Sequence, residues 1–486
     1  MHELHALLNR FAELEARLVS AEARATAAEA LVLAGEAEAV KLRERVRELE
    51  ARLKLNSSNS SKPPSSDIFR GGQLKKRKSG RKAGGQPGHK GVTRAIVPPE
   101  RIDVVVEVSP TSCTCGADMA GAVAVGGPRI RQVFEIPEIR AHITEYRMQR
   151  AACPCCGRVN EAQIPPEAAY GTGPTLTSWI AMLSGEYRLP RQDVVDLCAR
   201  LLGVPVSKGS VQACCERVSE AVAAAVQAAE ATLSTSTLAW IDETGWRQKG
   251  LRRWLWGAST NEVSCFAINT KRGAAQFEAW FDSTFNGVLH SDRWVVYGRL
   301  TPEQRQLCWA HLLRDVQGIA DAKGAGAIAA RALLPEAHAL FSSWHRFCRD
   351  EIDRPTLQTL AAPFITAFRT FGSDGEAQRA DKKWYGLGRD SVRWAPAVFR
   401  FIDVEGVEPT NNREERNLRH AVQWRRITQG TRSEAGSKFV GRILTVLGTC
   451  TLQHLDTLRF VKDSVLAALH GRPPPSLLTA PNGPSG

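Results

Sequence analysis

The chain has 486 residues, 43% hydrophobic and 24% charged, the make-up of a globular protein about three domains long. That composition excludes wholesale disorder, a collagen-like fibre and a disulfide miniprotein, and no run of 18 apolar residues exists to span a bilayer. Lys and Arg number 64 against 51 acids, for a formal charge of +13 that suits a polyanionic partner. The N-terminus mixes acids, bases and alanines without a signal-peptide core, so a cytoplasmic location is expected. The 12 cysteines are clustered, which in that compartment favours metal binding over disulfides.

Residues 1–56 carry two apolar series of period seven, offset by three. One is Leu4, Phe11, Leu18, Ala25, Val32, Ala39, Val46 and Leu53; the other is Leu7, Leu14, Ala21, Ala28, Gly35, Leu42 and Leu49. They form the a/d seam of a coiled coil, weakest at its Ala-rich centre, and predict a homo-oligomer. The alternative is a helix packed on its own chain. Residues 57–100 follow as a Ser-, Gly- and Pro-rich linker with ten Lys/Arg against Asp67 and Glu100, which is +8 of the +13. Such a segment buries too little to order itself, and Lys75, Lys76, Arg77, Lys78, Arg81 and Lys82 suit phosphate contact. The plain reading is a solvated linker.

Residues 101–165 hold Cys113-Thr-Cys115 and Cys153-Pro-Cys155-Cys156, separated by the alternating stretch IRQVFEIPEIRAHITEYRMQR, which predicts a strand hairpin. Two knuckles joined by a hairpin are the layout of a structural zinc module, with Cys113, Cys115, Cys153 and Cys156 as thiolate ligands. The first knuckle is one residue shorter than usual, and Cys155 is a spare thiol or an alternative ligand. Within 166–222, helices are predicted over Leu176–Glu186, Arg191–Leu202 and Lys208–Ala221, with Gly203 stopping the second and Ser207 capping the third. Helix, glycine turn and capped helix make a helix-turn-helix candidate that would offer Lys208, Ser210, Gln212 and Arg217 to DNA. Many helical hairpins share that pattern.

From Thr237 the chain turns to short β-rich runs. LAWIDET predicts a strand ending at Asp242, WLWGAST and VSCFAINT two more, Ala274–Phe281 a helix, and GVLHSD a strand ending at Asp292. Acids at the ends of neighbouring strands are what a two-metal phosphoryl-transfer site needs, with a third from a later helix. PTNNREERNLRHAV supplies Glu414 and Glu415 in its first turns, with Thr410, Asn411 or Asn412 as cap. By spacing alone, a strand-end Asp is more often a turn or cap residue.

Taken in order, NSSKPPSSD, GGQPGHKG, the cysteine knuckles, YRLPRQDVVDLCARLLGVPVSKGSV, IDETGW, VLHSD, CWAHLLR and PTNNREERNLR resemble the IS66 family of bacterial DDE transposases, to about residue 465. The resemblance implies a multidomain α+β protein: N-terminal coiled coil, zinc-binding β module, helix-turn-helix, and an RNase H-like α/β catalytic core with a helical insertion. The core would cover 223–313 and 396–470, with the insertion at 314–395 and a disordered tail at 471–486. The family's acids fall on Asp242, Asp292 and Glu415, which would hold two Mg²⁺; Glu243 and Glu414 are adjacent decoys. Family members usually carry Asp before the paired asparagines, where this chain has Thr410. The gap of 123 residues from Asp292 to Glu415 implies the insertion, with Trp344, Trp384 and Trp394 read as core. Cys308-Trp-Ala-His311 resembles a C-x-x-H motif of such enzymes and is assigned a structural role, since two ligands do not make a metal site. Arg416, Arg419, Arg425, Arg426 and Arg432 suit phosphates beside the site.

The expected activity is Mg-dependent 3′-end cleavage and strand transfer on double-stranded DNA, at the element's terminal inverted repeats and a target. Small accessory proteins of the element join the expected partners, and nucleoid association the expected location. A catalytically silent DNA-binding repressor or domesticated transposase would share everything except the need for the acids. A coiled-coil scaffold with a zinc module would leave those acids unexplained.

Overall fold

The computed structural model describes residues 2–53, 91 and 94–478. Lys75, Lys76, Arg77, Lys78, Arg81 and Lys82 lie outside the described residues, as does the chain from 479. The chain divides into two units: Met1–Ile68, Arg147–Val195 and Ser207–Gly486 form the first, Phe69–Tyr146 and Asp196–Val206 the second.

Helix α1 (His2–Leu53) runs unbroken for 52 residues through a proline-free, Ala- and Glu-rich sequence. Leu7, Phe11, Leu14 and Leu18 at its start, and Val32, Leu42, Val46 and Leu49 later, all stand exposed. Strands β1 (Arg150–Ala152) and β2 (Val159–Glu161) form a small antiparallel hairpin around the second cysteine knuckle. The hairpin expected between the knuckles is absent from the described residues: 130–149 form no strand, and Ile130, Val133, Ile136 and Ile143 are exposed. Alternation defines two faces of an extended segment but names no partner, and Pro137 removes a ladder donor midway.

Helices α2 (Pro174–Gly185), α3 (Arg191–Leu202), α4 (Lys208–Ala221) and α5 (Ala223–Ala231) follow. Gly203 at φ +64° closes α3, and the Ser207 hydroxyl accepts the Ser210 N–H to cap α4.

A five-stranded sheet comes next: β3 (Leu238–Gln248), β4 (Leu251–Ser259), β5 (Ser264–Asn269), β6 (Val288–Ser291) and β7 (Arg305–Leu307), with α6 (Ala274–Trp280) between β5 and β6. Its order is β5-β4-β3-β6-β7, antiparallel from β3 to β5 and parallel from β3 through β6 to β7. Lys249 and Gly250 both take positive φ, giving a two-residue hairpin whose twist matches β3 and β4. Strand β3 continues six residues past Asp242, so that acid sits mid-strand, whereas sequence had ended the strand there. The reason is that β4 pairs with β3 along its whole length, from Trp240↔Ser259 to Gln248↔Leu251.

Five helices separate β7 from the last segment: α7 (Trp309–Ala320), α8 (Ala325–Phe347), α9 (Arg354–Ala377), α10 (Lys382–Arg393) and α11 (Ala395–Asp403). They enclose their own apolar core around Trp309, whose ring meets Phe341, Phe364, Phe368 and Phe399 at centroid distances of 5.1–5.7 Å. Trp384 is buried there, and Trp344 and Trp394 pack against the same cluster. Helices α12 (Asn412–Thr428), α13 (Glu434–Leu452) and α14 (Thr457–Leu469) complete the chain. Both α12 and α13 lie against the sheet, and beyond α14 Leu477 is buried in the same core. No helix among the described residues is long and apolar enough to cross a membrane.

The α13–β5 contact is close because Gly441 has no side chain: a Cβ there would stand 2.8 Å from the Phe266 carbonyl oxygen. Gly441→Val should therefore destabilise by about 2–3 kcal/mol in urea unfolding, the size of an overpacked core. Gly386, inside α10 with open space around it, gives the opposite sign. Gly386→Ala should gain about 0.5–1 kcal/mol in the same assay.

Candidate active site

Side chains alternate across a strand, so adjacent acids on β3 face opposite ways. Glu243 turns toward α6 and the loop after β6. There Tyr297 O–H donates to Glu243 Oε2, and Arg272 Nε donates to its Oε1 at 2.6 Å. Burial raises the Glu243 carboxyl above its usual range, against the pull of Tyr297 and Arg272. Arg272 in turn stacks on Trp294 at 4.0 Å. Glu243 is thereby saturated by its own neighbours.

Asp242 takes the other face, shared with its cross-strand partner Gly257, above which α12 lies. Its carboxyl is raised well above the usual range by burial, then by the charges of Glu243, Asp292 and Glu415. Like charges within reach of one another each favour the protonated form of their neighbours. Asp292 immediately follows β6 and is half-buried; its Oδ1 accepts the Trp294 N–H at 2.8 Å. Because β6 lies beside β3 in parallel, Asp292 emerges next to Asp242.

Successive helix residues are turned about 100° from each other, and this separates the two glutamates of α12. Glu414 points into the sheet, fully buried, accepting the Ser259 hydroxyl at 2.5 Å and the Asn417 amide at 3.2 Å. Burial lifts its carboxyl to about 7. Glycine at 257 makes room, since a Cβ there would collide with Glu414 Oε1. Glu415 points along the sheet edge to α7. Its Oε1 lies 3.8 Å from His311 Nδ1 and 4.0 Å from Arg314 Nη2, with no hydrogen-bond partner.

What fixes α12 was not visible in sequence. Asn411 precedes the helix but makes no side-chain cap; its Nδ2 donates to the Ile241 carbonyl on β3 at 2.8 Å. Its own N–H reaches Cys308 Sγ at 3.2 Å, while Trp309 N–H donates to the Pro409 carbonyl at 2.9 Å. A second tie is His290 on β6, fully buried and stacked on Trp240, with Nδ1–H on the Ala239 carbonyl and Nε2 accepting the Glu408 N–H. Burial depresses this imidazole to about 4, which fits its need to stay neutral to accept that bond. Around Asp292, Arg305 donates to its carbonyl at 2.9 Å, and Arg293 binds Asp315 at 2.5 Å and Asp390 at 2.8 Å. The paired asparagines and the Arg after Asp292 were the available sequence signals.

The other predicted residues are scattered. Lys208 is exposed and Ser210 half-buried at the start of α4, but Gln212 is hydrogen-bonded to Arg191 and Glu216. Arg217 donates to the Thr172 hydroxyl and lies over the Tyr170 ring. On α12, Arg416, Arg419 and Arg426 are exposed; Arg425 donates to the Gly245 carbonyl and Arg432 is exposed beyond the helix. At the second knuckle, backbone amides of Cys156 and Cys155 lower the Cys153 thiol, as the Cys115 amide and thiol do for Cys113. Amides aimed at sulfur are the outer-shell support that a metal thiolate uses.

Three sequence profiles match this chain. The transposase IS66 family matches residues 171–439, more than half its length; the zinc-finger binding domain of that transposase matches 110–157; a family of unknown function, DUF6444, matches 7–95. No curated protein is significantly similar. These matches place the protein among transposases, enzymes that act on DNA. Within that class, the chain belongs to the transposase IS66 family, and all five cysteines of the two knuckles fall inside its zinc-finger domain.

Asn411→Ala should cost about 1–3 kcal/mol of stability, because it leaves the Ile241 carbonyl buried and unpaired. Asn411→Asp, which removes the donor but keeps the shape, should lose a similar amount in the same chemical-denaturation measurement.

Proposed function

We propose that this protein is a DDE transposase in which Asp242, Asp292 and Glu415 carry metal-dependent cleavage and strand transfer on the element's ends. The observation that carries the reading is the grouping of these three acids, from β3, the end of β6 and α12: the Asp242 carboxyl, raised first by burial and by adjacent Glu243, is raised further by the charges of Asp292 and Glu415. The donor set fits Mg²⁺: carboxylate oxygens only, with Glu415 Oε1 unpartnered. Two bound Mg²⁺ would activate the attacking oxygen and stabilise the leaving one. Glu243 and Glu414 stand apart from this role, each engaged by its own partners.

The chain's own residues hold this arrangement. Asn411 pins the glutamate helix to the strand of the first aspartate, His290 pins that strand to its parallel neighbour, and Arg305 holds the backbone at the second aspartate. The order of the sheet, with acids on adjoining parallel strands, supports an RNase H-like core; α7 to α11 would be its helical insertion. Water and then the freed 3′-hydroxyl would serve as nucleophiles, without a covalent enzyme–DNA step.

Around the core, α2 to α4 would be the helix-turn-helix, with exposed Lys208 better placed for DNA than Ser210, Gln212 and Arg217, which are bonded within the chain. Exposed Arg416 and Arg419 would meet phosphates near the site, and the basic linker would add salt-sensitive affinity. Structural zinc would be held by knuckle thiolates, Cys113, Cys115, Cys153 and Cys156 being the set read from sequence. Helix α1, with its apolar seam exposed, would assemble copies of the chain as a coiled coil. Double-stranded DNA, further copies of the chain and the element's accessory proteins are the partners of this scheme.

Asp242→Ala, Asp292→Asn and Glu415→Gln should each cut strand transfer on labelled element ends by more than ~100-fold, beyond what outer-shell changes cause. End binding in a gel-shift assay should persist; retained transfer by any of the three would refute the assignment. Removing residues 2–53 should convert the oligomer to a monomer in analytical ultracentrifugation.

A further inference from the structure

The C-x-x-H motif is left without a chemical role by the preceding account. Cys308 stands at the N-cap of α7 and His311 in its first turn, a spacing that brings both side chains out together. The bonds from Asn411 to Cys308 and from Trp309 to Pro409 bring the start of α12 against them. As a result Cys308 Sγ, an imidazole nitrogen of His311 and a carboxylate oxygen of Glu415 all lie within 4.8 Å of one another. His311 Nδ1 and Glu415 Oε1 face each other at 3.8 Å, both shut off from solvent and both without a hydrogen-bond partner. Two polar atoms left unsatisfied side by side are costly unless something binds between them.

Thiolate, imidazole and carboxylate are a poor set for Mg²⁺, which takes oxygens in an octahedron. They are a good set for Zn²⁺ or Co²⁺, which accept three protein ligands and keep a fourth position open. Ligand atoms around tetrahedral zinc stand about 3.5 Å apart, so small side-chain rotations would close this set without moving the backbone. The Asn411 N–H on Cys308 Sγ is the outer-shell donor that a metal-bound thiolate requires.

We propose that Cys308, His311 and Glu415 form a binding site for a zinc-like divalent cation, and that filling it withdraws Glu415 from the carboxylate set and switches strand transfer off. Binding sends the thiol proton to solvent. The binding site stands on its own geometry; only the switch rests on the DDE reading.

The test uses the full chain with its zinc finger already saturated with zinc. Titration with Co²⁺ should add one equivalent per chain, with visible d–d bands and near-ultraviolet sulfur-to-cobalt charge transfer. His311→Gln and Cys308→Ser, each checked for unchanged circular dichroism and melting, should bind this ion at least ~10-fold more weakly. Should the buried cysteine variant fail to fold, the half-exposed histidine variant carries the test. A Cys153→Ser/Cys156→Ser protein should keep the added equivalent, which excludes the finger as its source. Equal cobalt uptake by His311→Gln and wild type, or uptake without sulfur charge transfer, would overturn the site.

The switch is read separately, as strand transfer in Mg²⁺ with and without one further equivalent of Zn²⁺. Wild type should lose at least ~10-fold, and His311→Gln should hold its own zinc-free rate. Zinc-insensitive transfer by wild type overturns the switch. Wild type inert in Mg²⁺ with only its finger loaded overturns the chemistry proposed for the acids, and the cobalt result then decides the site alone.

Discussion

Everything at the candidate site depends on where α12 begins. Its glutamate is useful only if the helix starts beside β3, and one side chain enforces this. Asn411 gives up the usual capping bond and spends its amide on the Ile241 carbonyl, one residue before Asp242. Its backbone N–H faces the other way, to Cys308. A buried amide of this kind is specific because each missed bond costs about 1–3 kcal/mol, so slipping α12 by one residue would strand donor and acceptor together. Packing alone would tolerate more freedom.

The periodicities of strand and helix then sort the acids. Asp242 and Glu243 are neighbours in sequence but fall on opposite faces of β3, and Glu414 and Glu415 diverge around α12. In each pair one acid is absorbed by structure: Glu243 by Tyr297 and Arg272, Glu414 by Ser259 and Asn417. The acids left over share one region: Asp292 and Glu415 add to the rise that burial and adjacent Glu243 impose on the Asp242 carboxyl. Burial also lifts Glu243 and Glu414, so a raised carboxyl alone does not mark an acid of the candidate site.

Much of the secondary structure was legible. The bounds of α3 and α4 follow from Gly203 and the Ser207 cap, and VLHSD gives a strand that stops just before Asp292. These signals are local, carried by the residues that make the bond or the turn. The misses are non-local. The end of β3 depends on β4 pairing with it, the expected hairpin at 130–149 lacks a partner that alternation cannot name, and Asn411 looks like a cap until the Ile241 carbonyl is placed beside it. His290 reads as an ordinary polar residue of a strand, Arg305 lies in a short strand that sequence did not single out, and only their burial reveals them as ties. The family resemblance reached further than the physical reading, because it joined eight short motifs that local chemistry treats separately.

One turn of α7 has two tenants. Trp309 is the centre of the aromatic cluster that holds the five helices together, while His311 and Arg314, on either side of the next half-turn, border Glu415. The indole is locked further by its Nε1–H on the Val398 carbonyl at 2.7 Å. The helix at the centre of the bundle's core is thus also the one that borders the candidate glutamate. Repacking around the indole would reach the site as a rotation of α7. Such a rotation would move the imidazole and the guanidinium against the glutamate while leaving the two aspartates, seated on the sheet, where they were.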